Sequence, residues 1–97
     1  MTYEEFKEHC NSGVAEPELS PYLVALWYDA TGNWERAHEI VQEIPDRNAS
    51  WIHAYLHRKE GDSGNASYWY SQAAKSICDD SLEEEWGSLV RNFLNQT

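Results

Sequence analysis

Gly32 and Gly61 stand 29 residues apart, each between an apolar helical stretch and a residue suited to start a helix. No other feature limits the fold as much, because it makes the middle of the chain two copies of one unit. Aligned on these glycines, Leu26 meets Tyr55, Trp27 meets Leu56, Asn33 meets Asp62, Ala37 meets Ala66, Ile40 meets Trp69 and Val41 meets Tyr70. Glycine allows the positive φ that a tight reversal after a helix requires. Asn or Asp next to it caps the returning helix. A small alanine lets the two backbones approach, and a bulky residue four positions later fills the groove beyond.

The remaining punctuation predicts six helices. The first covers about residues 2–11, opened by the capping box Thr2-x-x-Glu5, with Tyr3, Phe6 and Cys10 on one face. A loop containing Pro17 follows. Ser20-Pro21 starts the second helix, apolar nearly all round from Tyr22 to Tyr28 and therefore expected to be central. Asn33 caps the third, which carries Trp34, Ala37, Val41 and Ile44 inward and ends at Pro45. The fourth covers about 48–60, with Ile52, Tyr55 and Leu56 inward and Trp51 flanking. Asp62 caps the fifth, whose stripe is Ala66, Tyr70, Ala73 and Ile77. A second capping box, Ser81-x-x-Glu84, opens the sixth, where Leu82, Trp86, Leu89 and Phe93 recur close to a heptad seam. Packing onto the fifth helix is the simplest use of that seam, and a dimer seam is the alternative. No stretch alternates with period two, so the fold is expected to be all-α, built of antiparallel helical hairpins.

The glycine turn, the close-contact alanine, the bulky residue after it and Ala73 near the end resemble the tetratricopeptide (TPR) repeat. That resemblance implies a TPR-like array of about six helices. Its core would be residues 20–77, with the helices at 2–11 and 81–96 as caps of a single domain spanning 1–97. The period departs from the usual unit of about 34 residues because Glu43–Arg47 forms a compressed linker. The segment His53–Asp62, followed by Asn65-Ala66 and Tyr68-Trp69-Tyr70, also resembles a group of small bacterial and fungal proteins. What this likeness implies is a shared fold and no particular activity.

Charge and composition narrow the partners. Seven Lys and Arg stand against 17 Asp and Glu, a net charge of -10, which argues against nucleic acid and anionic membrane surfaces. The longest apolar run is far short of the roughly 18 residues a membrane span needs. The acidic start, Met1-Thr2-Tyr3-Glu4-Glu5, lacks the pattern of a secretory signal, so a cytoplasmic location is expected. Cys10 and Cys78 are expected to be free thiols there.

Two constellations bear on function. His53 and His57 lie four apart on the fourth helix, with Glu60 three further on, a spacing that lines two imidazoles and a carboxylate along one face. His38 and Asp62 can add ligands from neighbouring helices. Without the Glu of a His-Glu-x-x-His motif, the plainer reading is that these imidazoles hydrogen-bond to Tyr hydroxyls and carboxylates in a half-buried seam. His57 among Arg58, Lys59, Glu60 and Asp62 also has the ingredients of acid–base chemistry, but no nucleophile, phosphate-loop or dinucleotide motif accompanies it. No catalytic residue and no cofactor is therefore assigned.

The second constellation is aromatic. Successive helical residues step by about 100°, so Tyr68, Trp69 and Tyr70 cannot share a face. If Tyr70 faces the core, Tyr68 points away. The expectation is a non-enzymatic interaction module with an aromatic groove between the second, fourth and fifth helices. Tyr28, Trp51, Tyr55, Tyr68 and Trp69 would line it, with His53 and His57 at the rim, and a protein or peptide would occupy it. The alternative is a small-molecule or metal-binding protein, or an enzyme, using His53, His57 and Glu60. Homo-oligomerisation is compatible with either.

Overall fold

Every helix in the computed structural model begins where a side chain can satisfy its free amides. The structure describes residues 1–12 and 18–95, and these contain six helices and no strand. They are α1 (Tyr3–Ser12), α2 (Pro21–Ala30), α3 (Trp34–Gln42), α4 (Arg47–Lys59), α5 (Ser63–Gln72) and α6 (Leu82–Asn95). The fold is all-α, and the loop expected around Pro17 lies outside the described residues. Both capping boxes form: Thr2 and Glu5 exchange bonds of 2.9 and 3.1 Å, and Ser81 and Glu84 exchange bonds of 3.3 and 3.1 Å. Asn33 Oδ1 accepts from the Arg36 amide at 3.1 Å, and Asp62 Oδ1 from the Asn65 amide at 3.2 Å. Asp46, which the linker reading passed over, caps α4 through the Ala49 amide at 2.8 Å.

The two glycine hinges are equivalent. Gly32 has φ +90° and Gly61 φ +89°. Behind each, the capping residue's amide returns to the preceding helix, Asn33 to the Tyr28 carbonyl at 2.8 Å and Asp62 to the His57 carbonyl at 2.9 Å. This pairing closes a helix end that would otherwise leave carbonyls unsatisfied. The same bonds recur after α5, where Lys75 N–H reaches the Tyr70 carbonyl at 3.0 Å around Ala74 at φ +57°. The fifth helix therefore stops earlier than its stripe suggests. Ile77 falls outside it and is 60% exposed. No Gly or Pro marks that stop, which is why the sequence reading ran through it.

Ala37 and Ala66 are buried at the two hairpin contacts, as the repeat requires. α4 is buried along nearly its whole length and, with α2, forms the centre. The heptad-like seam of α6 does not lie chiefly on α5. It packs on α2 and α4 and is backed by α1. Phe93 stacks on Tyr22 with centroids 4.8 Å apart, Trp86 Nε1 donates to the Leu26 carbonyl at 3.2 Å, and Phe6 packs on Trp86. A periodic stripe specifies that a helix has an apolar face, not which neighbour covers it. Here the face that it covers is the one that α2 and α4 present together.

Two buried carboxylates cross-link the layers. Glu85 of α6 accepts from Tyr70 at 2.6 Å, from Arg58 at 2.9 Å and from Trp51 Nε1 at 3.3 Å. Asp29 of α2 accepts from Tyr55 at 3.1 Å and Lys59 at 2.9 Å. Both carboxylates have the partners that burial of a charge demands.

Candidate functional site: a histidine cluster beside an aromatic groove

The close approach of α3 and α4 brings three imidazoles together. His53 and His57 are one turn apart on α4 and lie nearly parallel, with centroids 4.9 Å apart. His38 of α3 meets them edge-on, with its Nε2 2.9 Å from His53 Nε2. One ring nitrogen from each of the three lies within 4.8 Å of the others. Tryptophans hold the flanks. Trp34, one turn before His38, stacks on it at 5.0 Å and 8°, and anchors its own Nε1 on the Leu56 carbonyl at 2.9 Å. Trp69 of α5 stacks on His53 at 3.9 Å and 12°. Glu60 closes the far side of His57, with Oε1 2.6 Å from Nδ1.

Burial sets the charge state of this cluster. His53 is pushed down from its ordinary 6.5 to about 4, first by desolvation and then by the neighbouring His38 and His57. His38 is lowered for the same two reasons, with desolvation first and His57 second, against an opposing pull from Glu60 and Glu39. At neutral pH these two rings are therefore neutral, each with a nitrogen lone pair to share. The Nε2–Nε2 contact needs a proton between the rings, one donating and the other accepting. Chemically the cluster can relay a proton or ligate a metal. Asp62 lies near His57 and Glu60 but is committed to capping α5, where Asn65 holds its carboxyl below the usual range.

An open groove of about 430 Å³ adjoins the cluster. Val41, Ile44 and Pro45 line one side and Tyr68 and Trp69 the other, with His53 and Ser50 between them. Tyr68 is 55% exposed at its lip, as the 100° step requires once Tyr70 is buried.

The structure separates the residues that the sequence reading grouped. Tyr68, Trp69 and His53 share this groove, whereas His57 lies behind it in the cluster. Tyr28 packs edge-on against Trp27 on another side, under Arg36. Trp51 faces Phe93 and Lys75. Tyr55 is 3% exposed, with its hydroxyl on Asp29. Tyr55 instead lines a smaller opening of about 270 Å³ where α2 and α4 meet α1 and α6, beside Asp29, Lys59, Cys10 and Trp86. Sequence reasoning also passed over Trp34 as a clamp on His38. The signal was present in their four-residue spacing, which places both on one helix face. No protein-family model, curated protein or solved structure matches the chain. Among the described residues no helix is long and apolar enough to cross a membrane.

Proposed function

We propose that this chain is a TPR-like, non-enzymatic interaction module that binds a peptide segment of a partner protein in the groove across α3, α4 and α5. The observation that supports this reading is Tyr68, a large aromatic left 55% exposed beside Trp69 at the lip of a groove whose opposite wall is Val41, Ile44 and Pro45. Tyr and Trp supply large contact area at small entropic cost, which is why they dominate binding hot spots. Gln42, Ser50 and Gln72 offer donors and acceptors along the same groove for a peptide backbone. The net charge of -10 favours a basic peptide with one apolar anchor. Two free cysteines suit the reducing cytoplasm to which the reading assigns the protein.

Selection of a displayed random-peptide library on the full chain tests this. The expected result is enrichment of basic peptides with an apolar or aromatic anchor, which lose at least tenfold in affinity on Tyr68→Ala. Tyr68 is mostly exposed, so that variant keeps its melting temperature. No enrichment, or enriched peptides that bind Tyr68→Ala unchanged, would refute the groove as the binding surface.

A further inference from the structure

We infer that His38, His53 and His57 form a binding site for one divalent transition-metal ion of the zinc class, with Glu60 orienting His57. This site shares His53 with the wall of the peptide groove, but its occupancy needs no partner, and Tyr68, the residue that tests the groove, is not among its ligands.

The geometry is near what such an ion takes. A tetrahedral site with metal–nitrogen bonds of about 2.0–2.1 Å separates its ligand nitrogens by roughly 3.3 Å. Here one nitrogen from each ring lies within 4.8 Å of the others, and the His38 and His53 Nε2 atoms are 2.9 Å apart. Replacing the shared proton between those two atoms by a cation requires them to open by a few tenths of an ångström. The third ring swings inward by up to about 1.5 Å, within the reach of a side-chain rotation.

The surroundings also resemble a ligand set more than a packing seam. A carboxylate on the non-ligating nitrogen is the usual outer partner of a metal-bound histidine, fixing its tautomer and raising its basicity. Glu60 does this to His57 at 2.6 Å, so His57 holds its proton on Nδ1 and keeps Nε2 for the ion. Trp34 and Trp69 lie flat against His38 and His53, which removes the rotational freedom a ligand would otherwise lose on binding. Three imidazoles with no thiolate select zinc, copper or nickel over calcium and magnesium, which take oxygen ligands. Three protein ligands leave a fourth position for water or another small ligand. A competing set, His57 with Glu60 and Asp62, is mostly exposed and spends Asp62 on the α5 cap.

The test uses the full chain, stripped with a chelator, dialysed, and titrated with Zn²⁺ by calorimetry and with Co²⁺ by visible absorption. One equivalent should bind, Co²⁺ should give the intense bands of a tetrahedral complex, and zinc should raise the melting temperature. X-ray absorption of the zinc-loaded wild-type protein should count three imidazole ligands. His38→Phe, which keeps a flat ring for Trp34 to stack on, should weaken zinc at least 100-fold with helicity unchanged. Glu60→Gln should weaken it about 10–100-fold. Asp62→Asn, which retains a good cap, should leave it unchanged. Absence of binding by Zn²⁺, Ni²⁺ and Cu²⁺ would overturn the site. So would fewer than three imidazoles on the wild-type zinc, or affinity that survives His38→Phe. Should His38→Phe fail to fold, the wild-type ligand count decides.

Discussion

Ala74 occupies the left-handed position after α5 that glycine occupies after α2 and α4. An L-residue there carries a steric cost of about 1–2 kcal/mol, partly offset by the entropy that glycine loses on folding. Ala74→Gly should therefore stabilise the protein by about 1 kcal/mol in urea denaturation, and Gly32→Ala should destabilise it by a similar amount. A Cβ at Gly32 would meet no atom within 4 Å, so the second change isolates the backbone term. Equal midpoints for wild type and both variants would contradict the hinge geometry. At the same scale, His53 makes the metal-free protein acid-sensitive. Its folded pKa of about 4 lies below its ordinary 6.5. Between those values the unfolded chain binds a proton that the folded chain refuses, so stability is full above about pH 6.5 and drains away towards pH 4. His38 acts in the same direction, with His57 reinforcing and Glu60 and Glu39 opposing. Through His53, chelator-treated protein should lose up to about 1.4 kcal/mol per pH unit across this window. A urea midpoint that stays flat from pH 7 to pH 5 would count against the buried neutral cluster.

At the scale of elements, the decisive contacts are polar as well as apolar. Glu85 is 2% exposed and binds residues of both α4 and α5, so it fixes how α6 lies. Glu85→Ala leaves the Tyr70 hydroxyl and the Arg58 guanidinium without their partner. It should cost about 3–5 kcal/mol, the usual penalty for breaking a buried pair, whereas Glu85→Gln should retain part of the network and cost less. Equal stability of Glu85→Ala and wild type would show that α6 is held by its apolar seam alone. The Asp29 network between α2 and α4 is built on the same logic. Its signal in the sequence is an acidic residue at the end of a stretch that is otherwise apolar.

At the scale of the whole molecule, α6 covers the apolar face that α2 and α4 would otherwise leave bare. A helical repeat cannot bury its apolar face alone and needs a cap or a third unit. Leu89, Val90 and Phe93 are almost fully buried in making that closure. A chain ending after Asp80 should lose cooperative unfolding and bind the dye ANS, as compact chains without fixed packing do. A sharp melting transition in the shortened chain would show instead that the helix pairs stand without α6. The same closure leaves Tyr55 and Trp86 on a smaller opening shared by α1, α2, α4 and α6, and Tyr68 and Trp69 on the larger groove of the α3–α4–α5 side.

Local chemistry was legible in the residues themselves. Capping boxes, hinge glycines, close-contact alanines and the outward turn of Tyr68 follow from backbone geometry within one helix or one turn. The end of α5 was not, because a positive φ at an alanine leaves no mark in composition. Nor was the partner of α6, since periodicity describes a face and not what covers it. The pairing of His53 with His57 is written in their spacing. Their meeting with His38 and the tryptophans that clamp the rings belong to the packing of α3 and α5 on α4. Such contacts join residues far apart in the chain, and only the competition among apolar faces for burial selects them.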